Sequence, residues 1–236
     1  MPDHKPLDHT DIKHFYDERY YRNAGMPAGV SRYDNRLAQR LGIQEGMEVL
    51  DVACGTGRWL LAAQRAGARP AGIDLSETAI DICRKTLADG EFHTGPAETL
   101  PFSDSRFDLV TCLGSLEHFL DPHSALREMV RVAKPDANFL ILVPNAGFLT
   151  RRLGLYSGTQ QASVREEVLP LSEWNDLFES AGLQVTERWK DLHVLSWRWI
   201  GNEGLVKVPV RLAQAISLPF WPLEWQYQVY HLMNPL

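Results

Sequence analysis

Val49-Leu50-Asp51-Val52-Ala53-Cys54-Gly55-Thr56-Gly57 is the stretch on which the reading of this chain turns. An apolar run bearing one carboxylate enters a glycine-rich turn, and a helical pattern follows. A strand covered on both faces loses the in-out alternation and reads as a continuous apolar run. Gly55 and Gly57 allow the backbone to turn tightly and to approach a ligand where a Cβ would collide. Further apolar runs at residues 70–75, 107–113 and 138–143 are each followed by a helical stretch. That alternation predicts a doubly wound, mostly parallel α/β sheet with helices on both faces. Helix starts are marked by Ser76, by Asp121 before Pro122, and by Ser172, with helices expected through residues 88 and 133 and up to Gly182.

In such a sheet, ligands bind beyond the carboxyl ends of the strands, which is where the 53–57 turn lies. A lone G-x-G also serves as an ordinary tight turn. The second signal is Gly72-Ile73-Asp74-Leu75-Ser76, which ends the next strand with a carboxylate about 20 residues beyond the turn. A carboxylate there can accept both hydrogen bonds of a ribose diol. Asp74 as a plain helix-start residue is the weaker alternative, because Ser76 is the better cap. A nucleoside ligand is expected.

Composition narrows the classes. The 236 residues, 44 % hydrophobic and 23 % charged, suit one folded α/β domain with a small appendage. A net charge of −6 gives no reason to expect a nucleic-acid partner, which would call for clustered Lys and Arg. Cys54, Cys83 and Cys112 lack metal or disulfide spacing, so a reducing cytoplasm and no metal site are expected. Arsenic chemistry at these cysteines is a remote reading. Residues 1–20 carry Asp3, His4, Lys5, Asp8, Asp11, Asp17 and Glu18 with no apolar run, unlike a secretory signal. The apolar region 205–223 is interrupted by Lys207, Pro209, Arg211 and Pro219, whereas a span needs about 20 nearly uninterrupted apolar residues.

The strings VLDVACGTG, GIDLS, AETLPF, FDLVTCLGSLEHFLDP and LREMVRVAKPDANFLILVPN stand in this order. They resemble successive motifs of the class I S-adenosylmethionine-dependent methyltransferases, in particular the methyltransferase-11 group that includes ubiquinone and menaquinone biosynthesis enzymes. The resemblance implies a Rossmann-like sheet of seven strands with an antiparallel last strand, and S-adenosylmethionine as methyl donor. It implies that Asp51, Ala53, Gly55 and Gly57 hold the methionine end of the donor, Asp74 the ribose and Leu75 the adenine face. Ala97 and Glu98 match the segment at the adenine edge, Leu113 the floor of the site, and Glu117 with His118 the pocket mouth. The chain departs from the pattern at Ala53, where glycine is usual, and at Pro96, where many relatives carry an aspartate for the adenine amino group. Asp136-Ala137-Asn138 also replaces a usual glycine pair.

Methyl transfer from an activated sulfonium chiefly needs alignment in a dry pocket. A protonated nucleophile could use a base, and His118 is the candidate because imidazole titrates near neutrality. A structural or lining role for His118 is an equal alternative. His4, His9 and His14 read as a solvated terminus, since their spacing suits no single helical face.

Three regions are expected: a helical N-terminal lid over residues 1–45, a donor-binding core over 46–200, and an aromatic extension over 201–236 packed on the core. Within the lid, Tyr20 and Tyr21 are substrate-binding candidates together with Glu117 and His118. The connection 144–170 is long enough to suggest a substrate-contacting insertion. Trp189, Trp197, Trp199, Phe220, Trp221, Trp225, Tyr227 and Tyr230 crowd the C-terminal part. They suit packing onto the domain, an apolar substrate cavity, or peripheral contact with lipid. The expected partner is a small, apolar or aromatic acceptor methylated at oxygen, carbon or nitrogen. The rivals are a non-catalytic adenosylmethionine-binding or regulatory protein and a nucleotide-dependent oxidoreductase. The second is disfavoured because Leu60 stands where G-x-G-x-x-G needs its last glycine.

Overall fold

Seven strands form one sheet in the computed structural model, which describes residues 8–154, 166–192 and 208–236. The strands are β1 (Glu48–Val52), β2 (Arg69–Asp74), β3 (Glu91–Thr94), β4 (Phe107–Leu113), β5 (Ala133–Pro144), β6 (Leu183–Lys190) and β7 (Gln228–Pro235). Their order is β3-β2-β1-β4-β5-β7-β6. The first five pair in parallel, and β7 runs antiparallel to both neighbours. The doubly wound, seven-stranded, Rossmann-like sheet with an antiparallel last strand is therefore the fold of this chain.

The helices are α1 (His9–Phe15), extended by a wider turn over Tyr16–Tyr20, α2 (Arg32–Arg40), α3 (Arg58–Arg65), α4 (Glu77–Thr86), α5 (Pro122–Val132), α6 (Leu149–Arg152), α7 (Leu171–Ser180) and α8 (Val208–Ser217). In β5, Phe139, Ile141 and Val143 pack with α5 and α7, while Leu140 and Leu142 pack on the opposite side with α2, α3 and α4. That alternation within an all-apolar run is the geometry of a two-sided core. Trp174 and Phe178 from α7 are fully buried on the first side, and Trp174 Nε1 donates to the Pro144 carbonyl at 2.8 Å.

Several expected boundaries move. β5 begins at Ala133 rather than 138, directly at the end of α5. Ser172 does not cap α7, because the helix starts at Leu171 and Pro170 occupies the cap position without a side-chain bond. Ser76 does cap α4, accepting from Ala79 N at 3.1 Å, and Asp121 caps α5, accepting from Ser124 N at 3.0 Å. β7 lies inside the sheet between β5 and β6, so residues 228–235 are architecture rather than an extension packed on it. Trp197 and Trp199 lie outside the described residues, as do 155–165 of the expected insertion and 201–207 of the expected extension. Among the described residues, no helix is long and apolar enough to cross a membrane.

Candidate active site

The strand order reverses between β1 and β4, and the crevice at their carboxyl ends is the expected ligand position of an open α/β sheet. A cavity of about 460 Å³ opens there, within the usual range for a small-molecule site. It is lined from β1, β2, β4, β5, β7 and the N-terminal helices.

Asp74 sits at the β2 tip with only 7 % of its surface exposed. Its Oδ2 accepts from Gly55 N and its Oδ1 from Ser76 N, each at 2.8 Å. The two bonds fix the carboxylate at the cavity wall, and each oxygen keeps a further acceptor direction. Burial pushes its pKa up to about 6 against the opposing pull of those two backbone donors. Asp51 is held from behind: Trp59 Nε1 donates to Thr111 Oγ1 at 3.1 Å, and Thr111 Oγ1 donates to Asp51 Oδ1 at 2.6 Å. Burial raises the Asp51 carboxyl to about 7.

Ala53 and Gly55 both face the cavity with positive φ, +61° and +53°. The left-handed region strains any residue with a Cβ by about 1–2 kcal/mol. Ala53→Gly is therefore expected to raise stability by about 1 kcal/mol, read as an upward shift of the urea midpoint with an unchanged slope. Gly57 is also left-handed, at +73°, but it does not line the cavity. A Cβ there would meet Cys83 Sγ at 3.0 Å and Leu87 Cδ1 at 3.1 Å, so this glycine serves the packing of the turn against α4.

The N-terminal segment lines the cavity at its β1–β2 end and is bonded to the start of α4. Asp17 accepts from Ser76 Oγ at 2.6 Å and from Thr78 N at 3.2 Å, adding a second cap to α4 from a distant element. Lys13 holds Asp17 at 2.6 Å, and His9 Nε2 lies 3.2 Å from Glu98 Oε2. His9, read from sequence as part of a solvated terminus, thus stands at the cavity wall. Tyr20 and Tyr21 line the cavity as well, and the Tyr21 hydroxyl lies 2.7 Å from where a Gly55 Cβ would be.

Leu75, Ala97, Glu98, Leu113 and His118 also face the cavity. Glu117 does not. Its side chain is buried, its Oε2 has no hydrogen-bond partner among the described residues, and burial pushes its pKa up to about 8, with the Glu166 carboxylate adding to the rise. His118 Nε2 stands 3.9 Å from Glu117 Oε1, too far for a hydrogen bond. None of the described residues of 144–170 lines this cavity, and 155–165 lie outside the described residues. Lining residues that the sequence did not single out for the site include Tyr33, Asp34, Arg58, Trp59 and Gln228, and Tyr230, one of the C-terminal aromatics considered for a substrate cavity, lines it too. Among the described residues, no group of three or more His, Cys, Asp or Glu is placed to hold a metal ion.

A crevice of this kind, with an acidic β2 tip and a left-handed turn after β1 in a 3-2-1-4-5-7-6 sheet, defines the Rossmann-like methyltransferase fold class. Residues 50–141 match the family model Methyltransf_11, described as a methyltransferase domain, and this part of the chain belongs to that family. The chain is 31 % identical over 167 residues to the uncharacterized methyltransferase YcgJ of Bacillus subtilis, covering 66 % of this chain and 65 % of that one. It is 37 % identical over 139 residues to a demethylmenaquinone methyltransferase of Halalkalibacterium halodurans, covering 53 % and 57 %. The chain thus spans between about half and two thirds of the length of these curated relatives. A chain in the complex between the Haloferax volcanii Trm112 methyltransferase activator and a methyltransferase aligns with a TM-score of 0.72 at 21 % identity, over 95 % of this chain and 97 % of that one, a likeness of fold.

Proposed function

We propose that the protein transfers a methyl group from S-adenosylmethionine to a small acceptor with an apolar or aromatic body. The observation that carries this reading is the fixed Asp74 carboxylate, whose two oxygens are oriented by Gly55 N and Ser76 N at the rim of a cavity large enough for a nucleoside. The residues present fit the donor. Asp74 would accept from the ribose hydroxyls, and Leu75, Ala97 and Glu98 would border the adenine. The cavity-lining backbone of 53–55, together with Asp51, would take the methionine end.

S-adenosylmethionine supplies a methyl group already activated on a sulfonium. The chain's own work is then to orient and to exclude water. The buried Asp51 and Asp74 give this end of the cavity an acidic character suited to a cationic ligand. Tyr21 and the docked α1 segment cover it against solvent. On the other side, Trp59, Leu113, Leu142 and Tyr230 offer an apolar and aromatic wall, which supports an acceptor of that character. His118 lines the same cavity and is proposed as the group that takes a proton when the nucleophile carries one. The likeness to a demethylmenaquinone methyltransferase supports ring-bearing acceptors. Three buried free cysteines support a cytoplasmic location.

The test is incubation with donor labelled in its methyl group and a panel of phenols, quinols and small amines. Label is expected in the extracted acceptor and absent when Asp74→Asn replaces the wild type. Donor binding without transfer to any acceptor would favour a non-catalytic binding protein.

A further inference from the structure

Once the donor residues of β1, β2 and the 95–98 loop are assigned, the cavity surface over β4, β5 and β7 remains, and among its polar groups two phenols are joined to a buried carboxylate. Tyr33, on α2, donates its phenol proton to Asp191 Oδ1 at 2.8 Å, and its oxygen lies 3.1 Å from the phenol oxygen of Tyr230 on β7. Asp191 follows β6 directly, is 5 % exposed, and its backbone N–H donates to the Gln228 carbonyl at 3.2 Å. A phenol has one proton and a carboxylate has none to give, so with the Tyr33 proton on Asp191 the Tyr230 hydroxyl donates to the Tyr33 oxygen. The chain of bonds therefore runs from Tyr230 through Tyr33 to Asp191, and the oxygen of Tyr230 is left as an acceptor at the cavity end.

The rings are held rigidly. Tyr230 stacks on Trp189 with centroids 5.3 Å apart and planes 18° from parallel, and the Arg40 guanidinium carbon lies 3.9 Å from the centroid of the Trp189 ring. Beside Tyr230 in the cavity wall stands Gln228, whose amide reaches toward Gly114 and has no hydrogen-bond partner among the described residues. A polarised phenol oxygen and an unengaged amide thus face the cavity beside the apolar side chains of Leu113 and Leu142, with the Asp34–Arg58 pair, Ser115 and His118 as further polar lining.

We propose that the Asp191–Tyr33–Tyr230 chain, with Gln228, is the specificity element for the acceptor: it receives a hydrogen-donating group, a phenolic hydroxyl or an amine, on an aromatic body. This rests on the methyltransferase reading for the identity of the donor half. A site built to bond a donor group rejects the analogue that lacks it, because the polar groups are then desolvated without a partner.

Two probes of equal ring size separate the cases: 1-naphthol and naphthalene, titrated by tryptophan fluorescence into protein saturated with adenosylhomocysteine. Wild type is expected to bind 1-naphthol about 10-fold more tightly than naphthalene. Tyr230→Phe is expected to bring the ratio to near unity, and Tyr33→Phe, which breaks the link to Asp191, to about 3-fold, with adenosylhomocysteine affinity unchanged in both. If one variant fails to fold, the ratio is read from the other. A ratio near unity in wild type, an unaltered preference in both variants, or failure of both probes to bind would overturn the proposal. Failure of adenosylhomocysteine to bind wild type would instead sink the donor assignment, so the two readings fail separately.

Discussion

Asp74→Asn is expected to weaken adenosylhomocysteine binding about 100-fold while leaving the protein folded. Two charge-assisted hydrogen bonds from a ribose diol to a buried carboxylate are worth roughly 3 kcal/mol together, and 2.7 kcal/mol is a hundredfold in affinity. The amide is isosteric but places an N–H₂ group where one backbone donor, Gly55 N or Ser76 N, now points at an oxygen. It must turn, and it then presents at most one acceptor to the diol. Quenching of Trp59, which lines the cavity, is a suitable readout, with exposed Asp136→Asn as control. A loss smaller than about 3-fold would remove Asp74 from the nucleoside site.

The ligand-free protein is expected to lose about 3 kcal/mol of stability between pH 6.5 and pH 8.5. Burial holds Asp51 at about 7, Asp74 at about 6 and Glu117 at about 8. All three lie above the ordinary carboxylate range near 4, so the native state keeps protons that the unfolded state has already released. Stability from these groups is fully present below about pH 4 and is lost as the pH rises through the native values. His231 opposes this at lower pH: burial, with the nearby Arg188 charge, pushes it down to about 4, so its contribution is present above about 6.5 and lost on acidification. In the window from 6.5 to 8.5 Glu117 makes the largest contribution; the remaining gain from His231 just above 6.5 is opposed near 8.5 by Cys54 and Cys112, whose buried thiols are held well above the ordinary value. Denaturant titrations at the two pH values measure the loss, and Glu117→Gln is expected to abolish about two thirds of it. A flat or rising profile would contradict the buried, proton-bearing state of Glu117.

Much of the sheet was legible because its central strands are apolar on both faces. β1 and β4 end where their sequence runs end, at Val52 and Leu113. β3 was not legible: Glu91-Phe92-His93-Thr94 is a four-residue edge strand with one buried apolar side chain, and its exposed side carries charge. β7 was hidden for another reason. Its sequence, Gln228 to Pro235, sits in an aromatic tail, and only pairing with both β5 and β6 shows that Val229, Tyr230, His231 and Met233 are interior.

The part of the cavity proposed for the donor is local in sequence, a turn and the next strand end, and motif spacing therefore finds it. Even there, backbone geometry separates Gly55, which faces the cavity, from Gly57, which packs on α4. Glu117 and His118 are adjacent, yet the short turn Leu116–His118 after β4 sends one into the core and the other to the cavity. The part proposed for the acceptor is assembled from α2, the residue after β6, and β7. Tyr33 meets Asp191 across 158 positions and Tyr230 across 197, and no single-sequence period encodes such a meeting.

The central claim is that the crevice between β1 and β4 holds a sulfur-bearing nucleoside. Titration calorimetry of the wild-type protein with adenosylhomocysteine, adenosylmethionine, NAD and NADP tests it most directly. Saturable one-to-one binding of the first two and no heat from the dinucleotides is the expected result. Dinucleotide binding with silence from both sulfur compounds would contradict it.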